Sequence, residues 1–509
     1  VATFMNAFNT INGIPATSSE YLQRDILKDK WNFDGFVVSD WNSIGELIPH
    51  GVAANKKEAA KLAITAGSDM DMEGRVYIKE LKNLVQSGEV NERLIDDAVR
   101  RILRVKFRLG LFDDPFKYCN PEREKNEILS EKHLAASREV AKRSIVLLKN
   151  SEKLLPLKKS GQKIAVIGEL AASKDVPLGS WRAQAVPNSA VSLIEGIQNA
   201  TGETNTVLFE KGPDYVTSRR SFLHELEFNT TDYSGMAEAR RLAARADVVV
   251  IALGEDCFQS GEARSQTDIS LKGLQDELLK EIYSVNKNVV AVLMNGRPLA
   301  INWIADNVPA ILETWHLGSQ AGNAIADVLF GDYNPSGKLP VSFPRSVGQL
   351  PLYYNYLNTG RPVDKDGNVF WSHYTDELNE PLFPFGYGLS YTNFEYSNLQ
   401  LSNNILEEKG TLEITVDIEN TGERAGEEVA QLYVRDLVGS LSRPVKELKG
   451  FVKIKLLPGE KKQVSFQLMV EDLAFYGASG EWKAEIGKFK LWVWAHFAKG
   501  METAFELKR

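Results

Sequence analysis

Phe33-Asp34-Gly35-Phe36-Val37-Val38-Ser39-Asp40-Trp41 decides how the first hundred residues are read. Gly35 turns the chain into three apolar residues, a run too short for a helix, and two valines favour a buried strand. The strand stops on Ser39, Asp40 and Trp41. A carboxylate at the C-terminal tip of a parallel strand stands where α/β barrels and open α/β sheets place their chemistry. Asp40 could equally cap the next helix or close a turn.

Working outward, residues 1–110 alternate short strands with helical patterns, the βαβ signature of a parallel sheet or barrel. Val1 to Asn6 reads as a strand already under way, with neither a starting methionine nor a basic-then-apolar leader. The expectation is a piece of a longer polypeptide. Asn12-Gly13-Ile14-Pro15 makes a turn, and Ser18 and Ser19 are candidate caps for a helix through Tyr21, Leu22, Ile26 and Leu27. A helix is expected around Lys57 to Thr65. Another is expected after Asn91, with Leu94, Ile95, Ala98, Ile102, Leu103 and Leu109 on one face and Gly110 as its stop. These are only the last units of a (β/α) barrel, whose open edge needs a cover.

Residues 111–145 are polar and read as a linker. A second α/β region follows, 146–392, with buried parallel-type strands at Ile164–Ile167, Ala246–Leu253, Val289–Leu293 and Ala310–Leu312. Helical segments separate them, Gly273 to Tyr283 and Gly322 to Leu329 among them. Leu339 to Leu389, rich in Pro, Gly and Tyr, reads as a long ordered wrap. Beyond it the period changes to two: Leu412, Ile414, Val416, Ile418; Val464, Phe466, Leu468; Phe489, Leu491, Val493, Ala495, Phe497. With turns at Asn420-Thr-Gly422 and Pro458-Gly459, residues 393–509 read as a small antiparallel β-sandwich.

Composition narrows the function. A formal charge of -8 argues against nucleic acid or an anionic membrane as partner, and no apolar run approaches a membrane span. Cys119 and Cys257 are far apart and in no metal-ligand spacing, and leave the redox compartment open. No metal site or cofactor is expected. Ile164-Ala-Val-Ile-Gly168 opens like a dinucleotide fold but lacks the G-x-G-x-x-G spacing, and neither G-x-S-x-G nor H-E-x-x-H occurs. His316, after Thr314-Trp315, reads as a packed structural histidine. Asp69 and Asp71 read as turn or hydrogen-bonding residues.

The second candidate for chemistry is Leu253-Gly-Glu-Asp-Cys-Phe-Gln-Ser-Gly-Glu-Ala-Arg-Ser265, a polar loop after a buried strand with carboxylates at Glu255, Asp256 and Glu262. Its plain reading is a solvated acidic loop. Taken with Asp40 it suggests more, because retaining glycoside hydrolysis needs a carboxylate nucleophile and a carboxylic acid about 5–5.5 Å apart. Nothing requires both to come from one domain.

Asn32-Phe-Asp-Gly-Phe-Val-Val-Ser-Asp-Trp41 resembles the nucleophile signature of glycoside hydrolase family 3. The likeness continues through Ala66-Gly-Ser-Asp-Met70 and Ser144-Ile-Val-Leu-Leu-Lys-Asn150, and is densest in Gly322-Asn-Ala-Ile-Ala-Asp-Val-Leu-Phe-Gly-Asp-Tyr-Asn-Pro-Ser-Gly-Lys-Leu-Pro340. It reaches the sandwich in Pro384-Phe-Gly-Tyr-Gly-Leu-Ser-Tyr391 and Ser442-Arg-Pro-Val-Lys-Glu-Leu-Lys-Gly-Phe451. The resemblance, to the bacterial periplasmic β-glucosidase type, implies the C-terminal part of a TIM-like barrel, an α/β sandwich domain and a fibronectin type III-like domain. It implies Asp40 as nucleophile, Glu262 as general acid/base, and Trp41, Met5 and Phe8 as substrate-binding residues, with Phe8 where the family often has Tyr. The implied activity is that of a retaining exo-acting β-glucosidase on β-glucosides and cello-oligosaccharides, periplasmic or secreted. β-Xylosidase and a non-catalytic carbohydrate-binding remnant are the alternatives. The family's upstream barrel half, which supplies an Asp, an Arg and a Lys-His pair to the reacting sugar, is an expected partner not found in residues 1–509. The chain alone is therefore expected to bind sugar poorly. The sandwich is expected to serve as support or in a homodimer.

Overall fold

The computed structural model describes residues 1–362 and 368–509. The chain divides into two units, Val1–Ile128 and Leu129–Arg509.

In the first unit, β1 (Thr3–Met5) precedes a small hairpin, β2 (Thr10–Ile11) and β3 (Ile14–Pro15), and β4 (Phe36–Val38) lies parallel to β1 with Met5 opposite Val38. A further parallel bridge joins Val38 to Met70. Three successive chain segments thus pair in parallel with helical crossovers between them, the expected barrel pattern. The helix expected after Ser18 and Ser19 forms over Tyr21–Lys30 with π geometry, and the Ser19 hydroxyl accepts from the Leu22 amide at 3.3 Å. Three α-helices follow: α1 (Lys56–Ala66), α2 (Val76–Gln86) and α3 (Glu92–Arg108). Asn55 and Asn91 cap α1 and α3 with their side chains, and Gly67 ends α1 at φ 107°, a backbone region open to glycine. On α3 the buried contacts come from Ala98 and Val105, whereas Leu103 and Leu109, expected on the apolar face, are exposed. A helical period places residues on a face; it does not guarantee that the last turns of the helix have anything to face.

Residues 111–145 carry two helices, α4 (Pro121–Glu127) and α5 (Glu131–Ser144). Asn120 and Ser130 cap them. The second is part of the Leu129–Arg509 unit: Arg138 on α5 donates to the Asp327 carboxylate at 2.7 Å, and Ala141 sits in the hydrophobic core.

That core surrounds a six-stranded sheet built from β5 (Val146–Asn150), β6 (Lys163–Ile167), β7 (Thr206–Glu210), β8 (Val248–Gly254), β9 (Val289–Met294) and β10 (Ala310–Glu313), in the order β5-β10-β9-β8-β6-β7. Only β5, at one edge, runs antiparallel to its neighbour. The inner strands are buried on both faces, as the unbroken Val/Ile runs require. Ile164 and Val166 face α5, α6 (Leu193–Thr201) and α10 (Ala321–Leu329). Ala165 and Ile167 face α7 (Met236–Ala244), α8 (Gln275–Val285) and α9 (Asn302–Asn307). The chain reverses its direction of strand addition at β6, so the β6/β8 boundary is a topological switch point, and the loops at the C-terminal ends of β8, β9 and β10 lie on the face where such sheets carry function.

The expected wrap is irregular and ordered by backbone bonds: the Leu339 amide to Tyr387, Phe343 to Phe383, and Leu389 to Leu147 on β5, each at 2.8 Å. Its residues 363–367 lie outside the described residues. The terminal sandwich packs a three-stranded sheet, β11 (Phe394–Leu401), β13 (Thr411–Asn420) and β16 (Lys461–Met469), on a five-stranded one. The latter contains β12 (Ile405–Glu407), β14 (Gly426–Asp436), β15 (Glu447–Leu456), β19 (Gly487–Trp494) and β20 (Met501–Lys508); β17 (Phe475–Tyr476) and β18 (Trp482–Lys483) form a small side ribbon. Leu412, Ile414, Val416 and Ile418 fill the core from one side, as their alternation predicts. The sandwich is joined to the α/β body through buried polar contacts. The Gln431 amide donates to Gly386 at 3.1 Å, and the buried Glu428 carboxylate meets Lys338 and accepts from the Tyr396 hydroxyl.

Candidate active site

Asp40 leaves β4 directly after buried Ser39. The tip of the strand is held by the neighbouring segment: the Ser39 amide donates to Met70, the Met72 amide to the Ser39 hydroxyl and the Asn42 amide to Met72, at 2.8 to 2.9 Å. One Asp40 oxygen accepts from the Trp41 amide at 2.6 Å, and the Ser43 amide closes the turn onto the Asp40 carbonyl. Asp40 thus does what the plain reading of the sequence allowed, closing a turn, and still keeps a carboxylate oxygen free of any protein donor among the described residues. Trp41 (62% exposed) and Met5 (53%) are open side chains beside it in sequence and strand register, and Phe8 is half-buried with its carbonyl against His50.

Beneath this surface is a polar layer that the sequence does not reveal. Buried Asn6 donates to Ser68 at 2.8 Å and accepts from Thr17 and Ser43, and Gln23 and Ser68 complete the network. Each member has a partner, the condition for burying amides and hydroxyls without a large penalty. Lys28 and Asp69 form a buried ion pair at 2.7 Å, and Asp69 also accepts from the Val37 amide in β4. Burial pulls the Lys28 ammonium below its ordinary value, while Asp69 opposes that shift. Asp69 therefore fixes the strand that presents Asp40. Asp71 caps α2 by accepting from the Val76 and Tyr77 amides. Both aspartates have the hydrogen-bonding roles expected of them.

In the second unit the acidic loop after β8 resolves into unequal carboxylates. Glu255 and Asp256 are fully buried, not solvated. Asp256 takes the Arg220 guanidinium at 2.6 Å and the Phe258 amide at 3.0 Å. Glu255 takes the Gly296 amide at 3.0 Å and faces Arg297. Glu262 is different: exposed, on a turn with Gly261 at φ 103° and Ala263 at φ 58°, and with no hydrogen bond to any described residue. At φ 103° Gly261 sits in a backbone region that side chains rarely adopt, so the turn needs glycine on conformational grounds, and the Ser180 hydroxyl lies against it. His316 packs behind this loop, Nε2 3.5 Å from the Ser260 hydroxyl, and burial lowers its pKa to about 4.

Glu313, at the end of β10, is singled out by no local pattern in the sequence. It is fully buried, and burial pushes its carboxyl up to about 8 against the opposing bonds from Trp315 and Asn295, with the charge of Glu255 adding to the rise. Below the ordinary carboxylate range both folded and unfolded chains hold this proton. Between that range and about 8 only the folded chain does, so stability falls as pH rises through the window, by about 1.4 kcal/mol per unit at most. Glu313→Gln is expected to remove this slope whatever it does to absolute stability. Calorimetric unfolding of both proteins from pH 5 to 9 measures it, and parallel curves would refute the assignment.

Among the described residues no group of three or more His, Cys, Asp or Glu is arranged to hold a metal ion, and no helix is long and apolar enough to cross a membrane.

Comparison with known proteins places these observations. Residues 1–105 match the glycosyl hydrolase family 3 N terminal domain, residues 145–391 its C-terminal domain, and residues 428–496 a fibronectin type III-like domain. The chain is 46% identical to the periplasmic beta-glucosidase of Salmonella typhimurium, over 99% of this chain and 67% of that protein. It is 38% identical to a beta-xylosidase of Formosa agariphila, over 97% of this chain and 67% of the relative. Among solved structures, the beta-glucosidase from Listeria innocua in complex with isofagomine superimposes with a TM-score of 0.92 at 39% identity, covering 99% of this chain and 68% of that one. A mutant of the same enzyme has been solved with laminaribiose, with a TM-score of 0.92 at 38% identity over 99% of this chain and 67% of the other. By its sequence over both catalytic-region domains and by its fold, the chain belongs to glycoside hydrolase family 3.

Proposed function

We propose that the protein is a retaining, exo-acting β-glucosidase that releases glucose from the non-reducing ends of β-glucosides and short β-glucans. The observation that carries this reading is Asp40: an aspartate at the tip of a parallel strand, held by the Ser39–Met70 and Asn42–Met72 bonds, within a chain 46% identical to a periplasmic beta-glucosidase. In the first step an Asp40 oxygen bonds to the anomeric carbon as the glycosidic C–O bond breaks, and Glu262 gives its proton to the departing oxygen. In the second step Glu262 takes a proton from water, whose oxygen displaces Asp40. The Trp41 plane suits the C–H face of a pyranose, and Met5 and Phe8 border the first sugar. A phenylalanine at position 8 offers that sugar no hydroxyl.

A second reading, β-xylosidase, is favoured by one observation, the 38% and 36% identity to Formosa agariphila proteins bearing that activity in their names. The ratio of kcat/KM for aryl glucoside and aryl xyloside separates the two. Location in the periplasm or outside the cell is part of the proposal and follows the named relative.

The experiment for the central claim is trapping. A 2-deoxy-2-fluoroglucoside with a good leaving group, added to the full-length protein, should label one peptide, and fragmentation should place the label on Asp40. A label elsewhere overturns the nucleophile. No label together with no turnover favours a carbohydrate-binding remnant.

A further inference from the structure

The Glu262 turn is tied at its neck by one residue from a different strand. Arg297 follows β9 in Asn295-Gly296-Arg297-Pro298, and one of its terminal nitrogens, Nη2, donates to the Gln259 carbonyl at 2.7 Å and to the Arg264 carbonyl at 2.8 Å. Those two carbonyls bracket residues 260–263, the segment that carries Glu262. The other side of the guanidinium lies against buried Glu255, with Nε 3.0 Å from the carboxylate. Glu255 grips the same strand end a second time through the Gly296 amide. The backbone of Arg297 is held in turn, because buried Asn295 donates both to the Arg297 carbonyl at 2.8 Å and to Glu313 at 3.1 Å. The ends of β8, β9 and β10 are thereby joined through Glu255, Arg297, Asn295 and Glu313 into one support under an otherwise exposed turn.

We propose that Arg297 is the positioning residue for Glu262, setting the reach and direction of its carboxyl by closing the neck of the 260–263 turn. This rests on the reading of Glu262 as the acid/base. A planar guanidinium presents several N–H groups in fixed directions, so a single Arg can close two carbonyls and face a carboxylate at once, which a lysine ammonium does less rigidly. Other bonds also cross the neck: Arg264 Nε donates to Phe258 at 2.7 Å and the Gln266 amide to Gln259 at 3.1 Å. Loss of Arg297 therefore leaves the loop in place and frees its tip. Displacing a catalytic group by about 1 Å costs on the order of 100-fold.

Removing Arg297 alone would leave Glu255 buried and unpaired, so the first variant is the double substitution Arg297→Met with Glu255→Gln, and Arg297→Lys is the second. In the full-length protein, kcat/KM reports the first chemical step for both cellobiose and 2,4-dinitrophenyl glucoside. The double variant should lose roughly 30- to 100-fold on cellobiose, which needs protonation of its leaving group, and less than about 3-fold on the dinitrophenyl substrate, which does not. Arg297→Lys should recover part of the loss on cellobiose alone. Equal losses on both substrates, or no loss, would overturn the positioning role. Glu262→Gln run beside them separates the two claims. If it splits the substrates and the Arg297 variants do not, only the present proposal fails; if it does not split them, the acid assignment fails and this proposal with it.

Discussion

Asp40→Asn should lower kcat by roughly 10⁴- to 10⁶-fold, the scale on which loss of a covalent nucleophile is felt in other hydrolases. The structure makes this a clean substitution. The Trp41 amide needs only one acceptor, which the asparagine carbonyl oxygen supplies, and the Asp40 carboxylate accepts from no other described residue. The turn is closed by backbone, Ser43 to Asp40 and Asn42 to Met72, and by the Ser39 hydroxyl, none of which needs a charge at position 40. Folding should therefore be nearly unchanged, and the thermal unfolding curve of the variant should overlay that of the parent. Substrate binding should survive, because an amide keeps the shape of the carboxylate. Loss of activity together with an early unfolding transition would mean that the carboxylate is structural. Activity retained within tenfold would remove Asp40 from the mechanism.

The Asp40 strand is readable because three apolar residues after Gly35 admit little else, and the sandwich because its strands alternate cleanly along Leu412–Ile418 and Phe489–Val493. The inner strands of the α/β body are readable for the opposite reason, having no alternation at all. Its two edge strands are harder. In β7 only Val207 and Glu210 are even partly covered, so no burial pattern forms, and β5 is a short apolar run directly after a helix. The helices α4 and α5 lie in a stretch whose polarity reads as linker, though Asn120 and Ser130 are usable cap signals.

The candidate site is legible unevenly. Local sequence offers Glu255, Asp256 and Glu262 as equals, and no spacing rule ranks them. The fold does, by bringing Arg297 to the first and Arg220 to the second from distant segments, and by leaving the third exposed. Asn6, Lys28 and Glu313 are invisible in the sequence for the same reason: what makes each of them matter is a partner that lies elsewhere in the chain. Burial of a polar group is a tertiary fact.

Glu262→Gln should then behave unlike any change at Asp40. On cellobiose the departing sugar alkoxide is a poor leaving group, and loss of the acid should cost about 10²- to 10⁴-fold in kcat/KM. On 2,4-dinitrophenyl glucoside the departing phenolate needs no proton, and kcat/KM should fall by less than about tenfold. The second step then limits turnover, because the base that activates water is gone, so the glycosyl-enzyme accumulates and KM drops with kcat. Azide, a nucleophile that needs no deprotonation, should restore kcat on the activated substrate and yield β-glucosyl azide, with configuration retained because the azide attacks the face opposite Asp40. Glu255→Gln and Asp256→Asn provide the contrast. Each sits fully buried beside an arginine, so either change should be felt in stability and should not respond to azide. Rescue of an Asp256 variant and none at Glu262 would transfer the acid/base role to the buried carboxylate, against the exposure that now distinguishes the two.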